Sequence, residues 1–192
     1  GLFFTQLPTP KEQTVAAGDA LKSSAIEPTD FVLGPVQLFD GESWQGQRYI
    51  EVRQGRISQI SASPIVNGLP QQAGGGLTLL PGLIDAHVHT YNDALELAPQ
   101  FGVTTVLDMF MSAQLMQQLQ VGRLETPNQQ RADLYSAGTL ITAPKGHGTE
   151  YGMPIPTLDS ATQADAFVAA RIAEGSEFIK IVYESNKAPR NF

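Results

Sequence analysis

The sequence predicts an α/β protein that holds about four β/α units of a (β/α)8 TIM-type barrel, preceded by a small β-sandwich module. Two observations predict this fold. Short alternating segments joined by tight turns fill residues 30–76, whereas apolar strand patterns alternate with helical patterns over residues 77–192. A complete barrel needs about 250 residues and eight strands. We therefore expect the chain to be truncated and to contain only the first half of a barrel.

The β module is predicted from alternating apolar residues. Phe31–Leu33 and Val36–Phe39 are two short strands, and a Gln-Gly turn joins Tyr49–Arg53 to Arg56–Ile60 in a hairpin. Residues 67–76 are rich in Pro, Gly and Gln and are interpreted as a connector.

The barrel part is predicted from four apolar strands with helices between them. The expected strands are Leu83–His89, Val103–Leu107, one beginning at Leu134–Ala137, and Phe178–Tyr183. The expected helices run from Asn92 or Asp93 toward Gln100, around Ala113–Leu119, and over Ala161–Ile172 with Asp159 or Ser160 as the cap and Gly175 just past the end.

Composition excludes several classes of function. The chain has 12 basic and 19 acidic side chains, so its net charge of −7 argues against nucleic acid as a partner. It contains no cysteine, which excludes disulfides and thiolate metal ligands. No apolar run is long enough to span a membrane. Residues 1–29 show no clear periodicity and are predicted to be a flexible tail, which leaves a cytoplasmic and an exported location both open.

A pair of histidines ends the first predicted barrel strand. His87 and His89 are two residues apart, so both imidazoles project to one face of the strand. Active sites of barrel enzymes lie at this end of the strands, and imidazole is a ligand that zinc favours. The pair therefore indicates a metal site, and two ordinary surface or core histidines are the alternative interpretation.

The residues around this pair resemble a known signature. Pro81–Thr90 (PGLIDAHVHT) resembles the first barrel strand of the amidohydrolase superfamily, in its imidazolonepropionase/prolidase-like branch. Gly34–Gly41 (GPVQLFDG) and Val52–Ile57 (VRQGRI) resemble the β-sandwich module that precedes the barrel in many members. The resemblance covers roughly residue 31 to the end of the chain.

The resemblance implies a binuclear metal centre. His87 and His89 would bind one of two divalent metals, expected to be zinc. Lys180 lies in an apolar strand where an ammonium ion is costly to bury, and a CO2-derived carbamate on Lys180 would bridge the two metals as a catalytic group. A lysine that reaches solvent or pairs with Glu184 is the alternative. The family also uses two later histidines and an aspartate at the eighth strand, which this chain does not contain.

Other polar residues are candidates for the same site. The loop over residues 142–152 follows the third strand, so His147 and Tyr151 are candidates for binding substrate or polarising its carbonyl. An ordinary turn-rich loop is the alternative interpretation. Asp85 shares the histidine face and is expected to be structural. Asp108 and Glu184 end the second and fourth strands, and either could face the site.

These features predict an enzyme that hydrolyses an amide, lactam or peptide-like C–N bond of a small-molecule or peptide-like substrate through a metal-activated hydroxide. The alternatives are a mononuclear deaminase of the same superfamily, a non-catalytic scaffold, and a β-module binding domain with an accidental histidine pair. The expected partner is the remaining C-terminal half of the barrel, and a homo-oligomer is an open alternative. We expect the 192-residue chain alone to be inactive and poorly soluble, because a half barrel exposes a sheet edge.

Overall fold

Two β-sheets organise the chain. The structure is a computed structural model that describes residues 30–125 and 131–183, with the side chains of 121–125 excepted. The predicted tail over residues 1–29 lies outside the described residues. A five-stranded sheet comes first along the chain, and a three-stranded parallel sheet with helices follows it.

The first sheet mixes antiparallel and parallel pairs. The strands are β1 Phe31–Phe39, β2 Trp44–Arg53, β3 Arg56–Ser61, β4 Gln71–Ala73 and β5 Thr78–Leu79. Their order in the sheet is β3-β2-β1-β4, and β5 also pairs with β1. The pairs β3-β2 and β2-β1 are antiparallel, whereas β4 and β5 run parallel to β1.

The predicted hairpin is confirmed as β2 and β3, which pair from Tyr49↔Ser61 to Arg53↔Arg56. The two short strands predicted before it are one strand, because β1 continues through a register shift between Leu33 and Val36. The segment 67–76, predicted to be only a connector, contains β4. A backbone hydrogen bond from Val32 N to Pro70 O, at 2.9 Å, places this short strand beside β1.

The second sheet contains the first three predicted barrel strands. They are β6 Leu83–Val88, β7 Val103–Asp108 and β8 Asp133–Ser136, hydrogen-bonded in that order. All pairs are parallel, so the carboxyl ends of the three strands lie at one edge. That common edge positions the candidate site.

Helices connect these strands as predicted. They are α1 Ala94–Leu97, which continues as a 3-10 turn to Phe101, α2 Ala113–Glu125, and α3 Ala164–Glu174, which follows a 3-10 turn over Ala161–Gln163. None in the described residues is long and apolar enough to cross a membrane.

Local signals set the start of the 3-10 turn that leads into α3 and the end of α3 itself. Ser160 accepts a hydrogen bond from the Thr162 amide, and Gln163 completes a capping box with the Ser160 backbone. Gly175 ends the helix with a left-handed φ of 99°, which glycine adopts at little cost. The predicted cap and stop residues are confirmed.

The predicted fourth strand, Phe178–Tyr183, is wrong as a strand. Its pairing is reduced to a single parallel bridge between Ile141 and Ile181. Because β8 ends at Ser136, the bridge lies beyond the strand, and hydrogen bonds from Ile141 N to Lys180 O (2.7 Å) and from Val182 N to Ile141 O (2.8 Å) form it.

Each sheet has its own apolar core. Val36, Leu38 and Ile50 are buried together in the first sheet. In the second, Met116 of α2 is fully buried with residues from the strands and their connections, and the cluster comprises Leu95, Val106, Met111, Met116, Ala132 and Leu134. The second core fixes β7 and β8 beneath the carboxyl edge.

Candidate metal and substrate site

The two predicted metal ligands lie side by side at the end of β6. His87 belongs to the strand, and His89 is the first residue after its last member, Val88. The two ring centroids are 5.8 Å apart, and the ring planes make an angle of 70°. Both side chains are exposed. The alternation of the strand therefore puts both imidazoles on one accessible surface, as predicted.

Neither imidazole is used in another interaction among the described residues. The nearby carboxylate of Asp85, predicted to be structural, accepts a hydrogen bond of 3.2 Å from the His87 backbone amide. That bond uses the backbone of His87 and not its ring, so the ring nitrogens of His87 remain available to a metal ion.

The separation of the rings fits a shared metal ion. Two imidazoles bound tetrahedrally to one zinc through nitrogens at about 2.0–2.1 Å would have centroids about 5 Å apart. The 5.8 Å between His87 and His89 is close to that value, so small side-chain rotations would let both nitrogens converge. The residues present thus fit half of a zinc coordination sphere. No group of three or more His, Asp or Glu side chains arranged for a metal occurs in the part of the chain that the structure describes.

A pocket of about 490 Å³ opens beside His89. The loop after β6 contributes Thr90, the segment after β7 contributes Phe110 and Met111, and the loop over residues 142–152 contributes Tyr151. Aromatic and methionine side chains make up most of its wall. It therefore offers an apolar environment next to a candidate metal ligand, which is the usual composition of a small-molecule site.

One polar atom in the pocket wall lacks a partner. Thr90 Oγ1 is buried and makes no hydrogen bond with the described residues. A buried hydroxyl without a partner costs free energy. A bound molecule or water in the pocket could satisfy it, so Thr90 adds a polar contact beside His89.

Of the two predicted substrate-binding residues, Tyr151 lines the pocket and His147 is in contact with it. Their rings are 5.6 Å apart in an edge-to-face contact, and the Tyr151 ring also lies 6.2 Å from that of Phe110. His147 Nδ1 lies 2.6 Å from Glu150 Oε1, so the carboxylate orients the imidazole. The pKa of Glu150 is lowered, chiefly by a hydrogen bond from its own backbone amide and further by the Gly148 amide and His147.

Asp108 is placed differently from the expectation that it could face the site. Its side chain is fully buried. One carboxylate oxygen accepts a hydrogen bond from the Thr90 amide, and the other accepts one of 2.9 Å from the Phe110 amide. The sequence pattern identified Asp108 only as the residue that ends a strand. It could not predict the hydrogen bonds from the Thr90 and Phe110 amides.

Lys180 is not brought to this pocket. Its side chain is half-buried rather than enclosed, and it is not among the residues that line the cavity. Its backbone carbonyl accepts the hydrogen bond from Ile141. The other candidate on the same segment, Glu184, lies outside the described residues. The structure therefore joins His89 and Tyr151 at one pocket, whereas a role for Lys180 stays a prediction.

No protein-family model and no curated protein sequence matches this chain. Solved structures do match it. A Xaa-Pro dipeptidase with bound methionine is 23% identical with a TM-score of 0.61, over 80% of this chain and 47% of that protein. A Bifidobacterium longum protein assigned as a prolidase is 23% identical with a TM-score of 0.64, over 84% and 42%. A prolidase complexed with N-methylphosphonate-L-proline is 20% identical with a TM-score of 0.59, over 80% and 46%.

These matches establish a fold. The chain spans somewhat less than half the length of each of these proteins. It therefore shares its fold with part of these solved structures.

Proposed function

We propose that the protein is a metal-dependent amidohydrolase that cleaves an amide, lactam or peptide-like C–N bond. The observation that carries this proposal is the His87–His89 pair, whose rings lie 5.8 Å apart beside an apolar pocket that His89 lines. The names of the similar structures, which include a Xaa-Pro dipeptidase, molinate hydrolase and phenylurea hydrolase B, support hydrolysis of C–N bonds.

The metal site in this proposal uses three residues of the chain. His87 and His89 would hold one divalent ion, and Lys180, as a carbamate, would supply oxygen ligands to a binuclear centre. Zinc is the ion that best suits imidazole and carbamate oxygen ligands. When bound, such an ion would supply an activated water and polarise the scissile carbonyl. The apolar pocket wall beside His89 would limit access of bulk water from one side.

The remaining ligands in this proposal come from a C-terminal half of the barrel. Strand β6 is the edge of its sheet in the described residues, and Leu83 and Ile84 are 55% and 64% exposed there. Apolar side chains on an uncovered edge strand favour association. A further barrel strand that pairs with β6 would cover them and place its ligands beside His87.

Lys180→Ala tests the binuclear part of the proposal. Full-length protein is expected to bind about two zinc ions per chain in a bicarbonate-dependent way, and the variant about one, because alanine cannot form a carbamate. Metal content by elemental analysis, with and without bicarbonate, measures this. Lys145→Ala, an exposed lysine in another loop, is the matched control and should keep two. A content of about one zinc ion per chain in wild type and both variants, unaffected by bicarbonate, would favour a mononuclear deaminase instead.

Substrate binding is assigned to the pocket and to His147 and Tyr151. Because Tyr151 and Phe110 line the cavity, the group that enters should be apolar. Full-length, zinc-loaded protein is expected to hydrolyse dipeptides and N-acyl amino acids with an apolar residue at least tenfold more efficiently than charged analogues, in keeping with about 1–3 kcal/mol per buried apolar group. Tyr151→Ala should reduce this preference by raising KM.

Amine release from such a panel measures the preference. Ser63→Ala, in the β module, is the control and should leave kcat/KM for each substrate unchanged. Equal hydrolysis of apolar and charged substrates would show that another surface selects the substrate. No metal-dependent hydrolysis of any member would contradict the enzyme class proposed.

A further inference from the structure

Asp108 is a buried acidic residue that lies outside the proposed metal pair. Its carboxylate is completely buried at the end of β7. No Lys, Arg or His side chain of the described residues pairs with it. Two backbone amides, those of Thr90 and Phe110, donate to its two oxygens instead. Burying a carboxylate without a cation costs free energy. The two hydrogen bonds offset part of that cost, and they hold the backbone at Thr90 and at Phe110.

On the neighbouring strand β8, a neutral residue occupies the position that pairs with Asp108. Ser136 ends β8, is paired in register with Asp108, and is also fully buried. Its hydroxyl accepts a hydrogen bond of 2.9 Å from the Gly138 amide, two residues further on. Asp108 makes the same contact with Phe110, also two residues further on. A serine would suffice for that local bond, and the contact that needs the carboxylate is the one with Thr90.

That extra contact lies directly beside a candidate metal ligand. His89 is beyond the end of β6, so the strand does not hold it by regular pairing. Val88 O accepts a hydrogen bond of 2.9 Å from Met109 N, and Thr90 N donates to Asp108. The two bonds flank His89 and fasten its backbone to the end of β7.

We propose that Asp108 is a positioning residue for the metal site: its buried carboxylate holds Thr90 and thereby fixes the backbone from which His89 projects. The inference rests on the proposed metal function of His87 and His89. It does not make Asp108 a ligand: the carboxylate is fully buried and accepts hydrogen bonds from two backbone amides. Residues that hold metal ligands in place commonly change metal affinity by about 10–100-fold when altered.

Asp108→Ser isolates the contact with Thr90. By analogy with Ser136, the hydroxyl can retain the local bond to Phe110, but it cannot also reach Thr90. Full-length wild-type protein, Asp108→Ser and the control Ser136→Ala are compared by titration with cobalt(II) alone and by amide hydrogen exchange of peptides that span residues 87–91. Thermal unfolding measures the general loss of stability.

Asp108→Ser is expected to weaken cobalt(II) binding about tenfold and to accelerate exchange in residues 87–91. Ser136→Ala should lower the melting temperature while leaving both of those readouts within about twofold of wild type, since it loses one hydrogen bond at a strand end away from His89. Equal exchange and equal affinity in the two variants would overturn the inference. If wild type binds no cobalt(II), the proposed function fails, and the exchange data still decide whether Asp108 holds the His89 segment.

Discussion

Replacing both His87 and His89 with alanine is expected to remove the metal ion that this pair holds in the proposed site. The two imidazoles lie together at the edge of the pocket, at a separation that suits one ion. Loss of both ligands removes half of a tetrahedral site, so we expect affinity for cobalt(II) or zinc to fall by more than about 100-fold. Calorimetric titration measures the affinity, and the visible absorption of cobalt(II) reports the coordination.

The third histidine of the chain provides the control for that experiment. His147 is oriented by Glu150 at 2.6 Å rather than toward His87. His147→Ala should therefore leave cobalt(II) affinity unchanged. If it weakens binding as much as the double variant does, the metal lies on the loop over residues 142–152 and the assignment of the pair is wrong. If neither changes affinity, the metal binds elsewhere in the protein.

Elements with strong local signals could be predicted from the sequence. The 3-10 turn that leads into α3 begins at the expected serine cap, and α3 ends at the expected glycine, because both residue types act through bonds within a few positions. Strand β7 matches its β-branched run. The alternation that placed His87 and His89 on one face is equally local, and for that reason the pair was the part of the site that the sequence predicted best.

Elements that depend on distant partners could not be predicted in the same way. Strand β4, Gln71–Ala73, consists of residues with weak strand propensity and forms because β1 pairs with it. Phe178–Tyr183 has a strand-like composition, but among the described residues it pairs only with Ile141. The contact between Asp108 and Thr90 joins residues 18 positions apart, and neither pattern nor spacing contains that information.

Gly82→Ala is expected to destabilise the protein severely. A Cβ at this position would lie 2.0 Å from Thr104 Oγ1, 2.4 Å from its Cγ2 and 2.7 Å from its Cβ. Rotation of the Thr104 side chain moves the first two atoms but not Cβ. The backbone before β6 must therefore move away from β7, and such overpacking costs about 1–3 kcal/mol. The melting temperature and the free energy of unfolding in urea measure the loss.

Gly75→Ala is the matched control, because nothing lies within 4 Å of its added Cβ and its φ is not in the left-handed region. We expect it to change the free energy of unfolding by no more than about 0.5 kcal/mol. The contact itself is tested by Thr104→Gly, which removes the Cβ that the methyl group added by Gly82→Ala would strike. In the Thr104→Gly background, Gly82→Ala should lower the free energy of unfolding much less than it does in wild type, so the two changes are coupled. An equal loss of unfolding free energy in both backgrounds would mean that the close approach of Gly82 to β7 is not the reason why glycine is required.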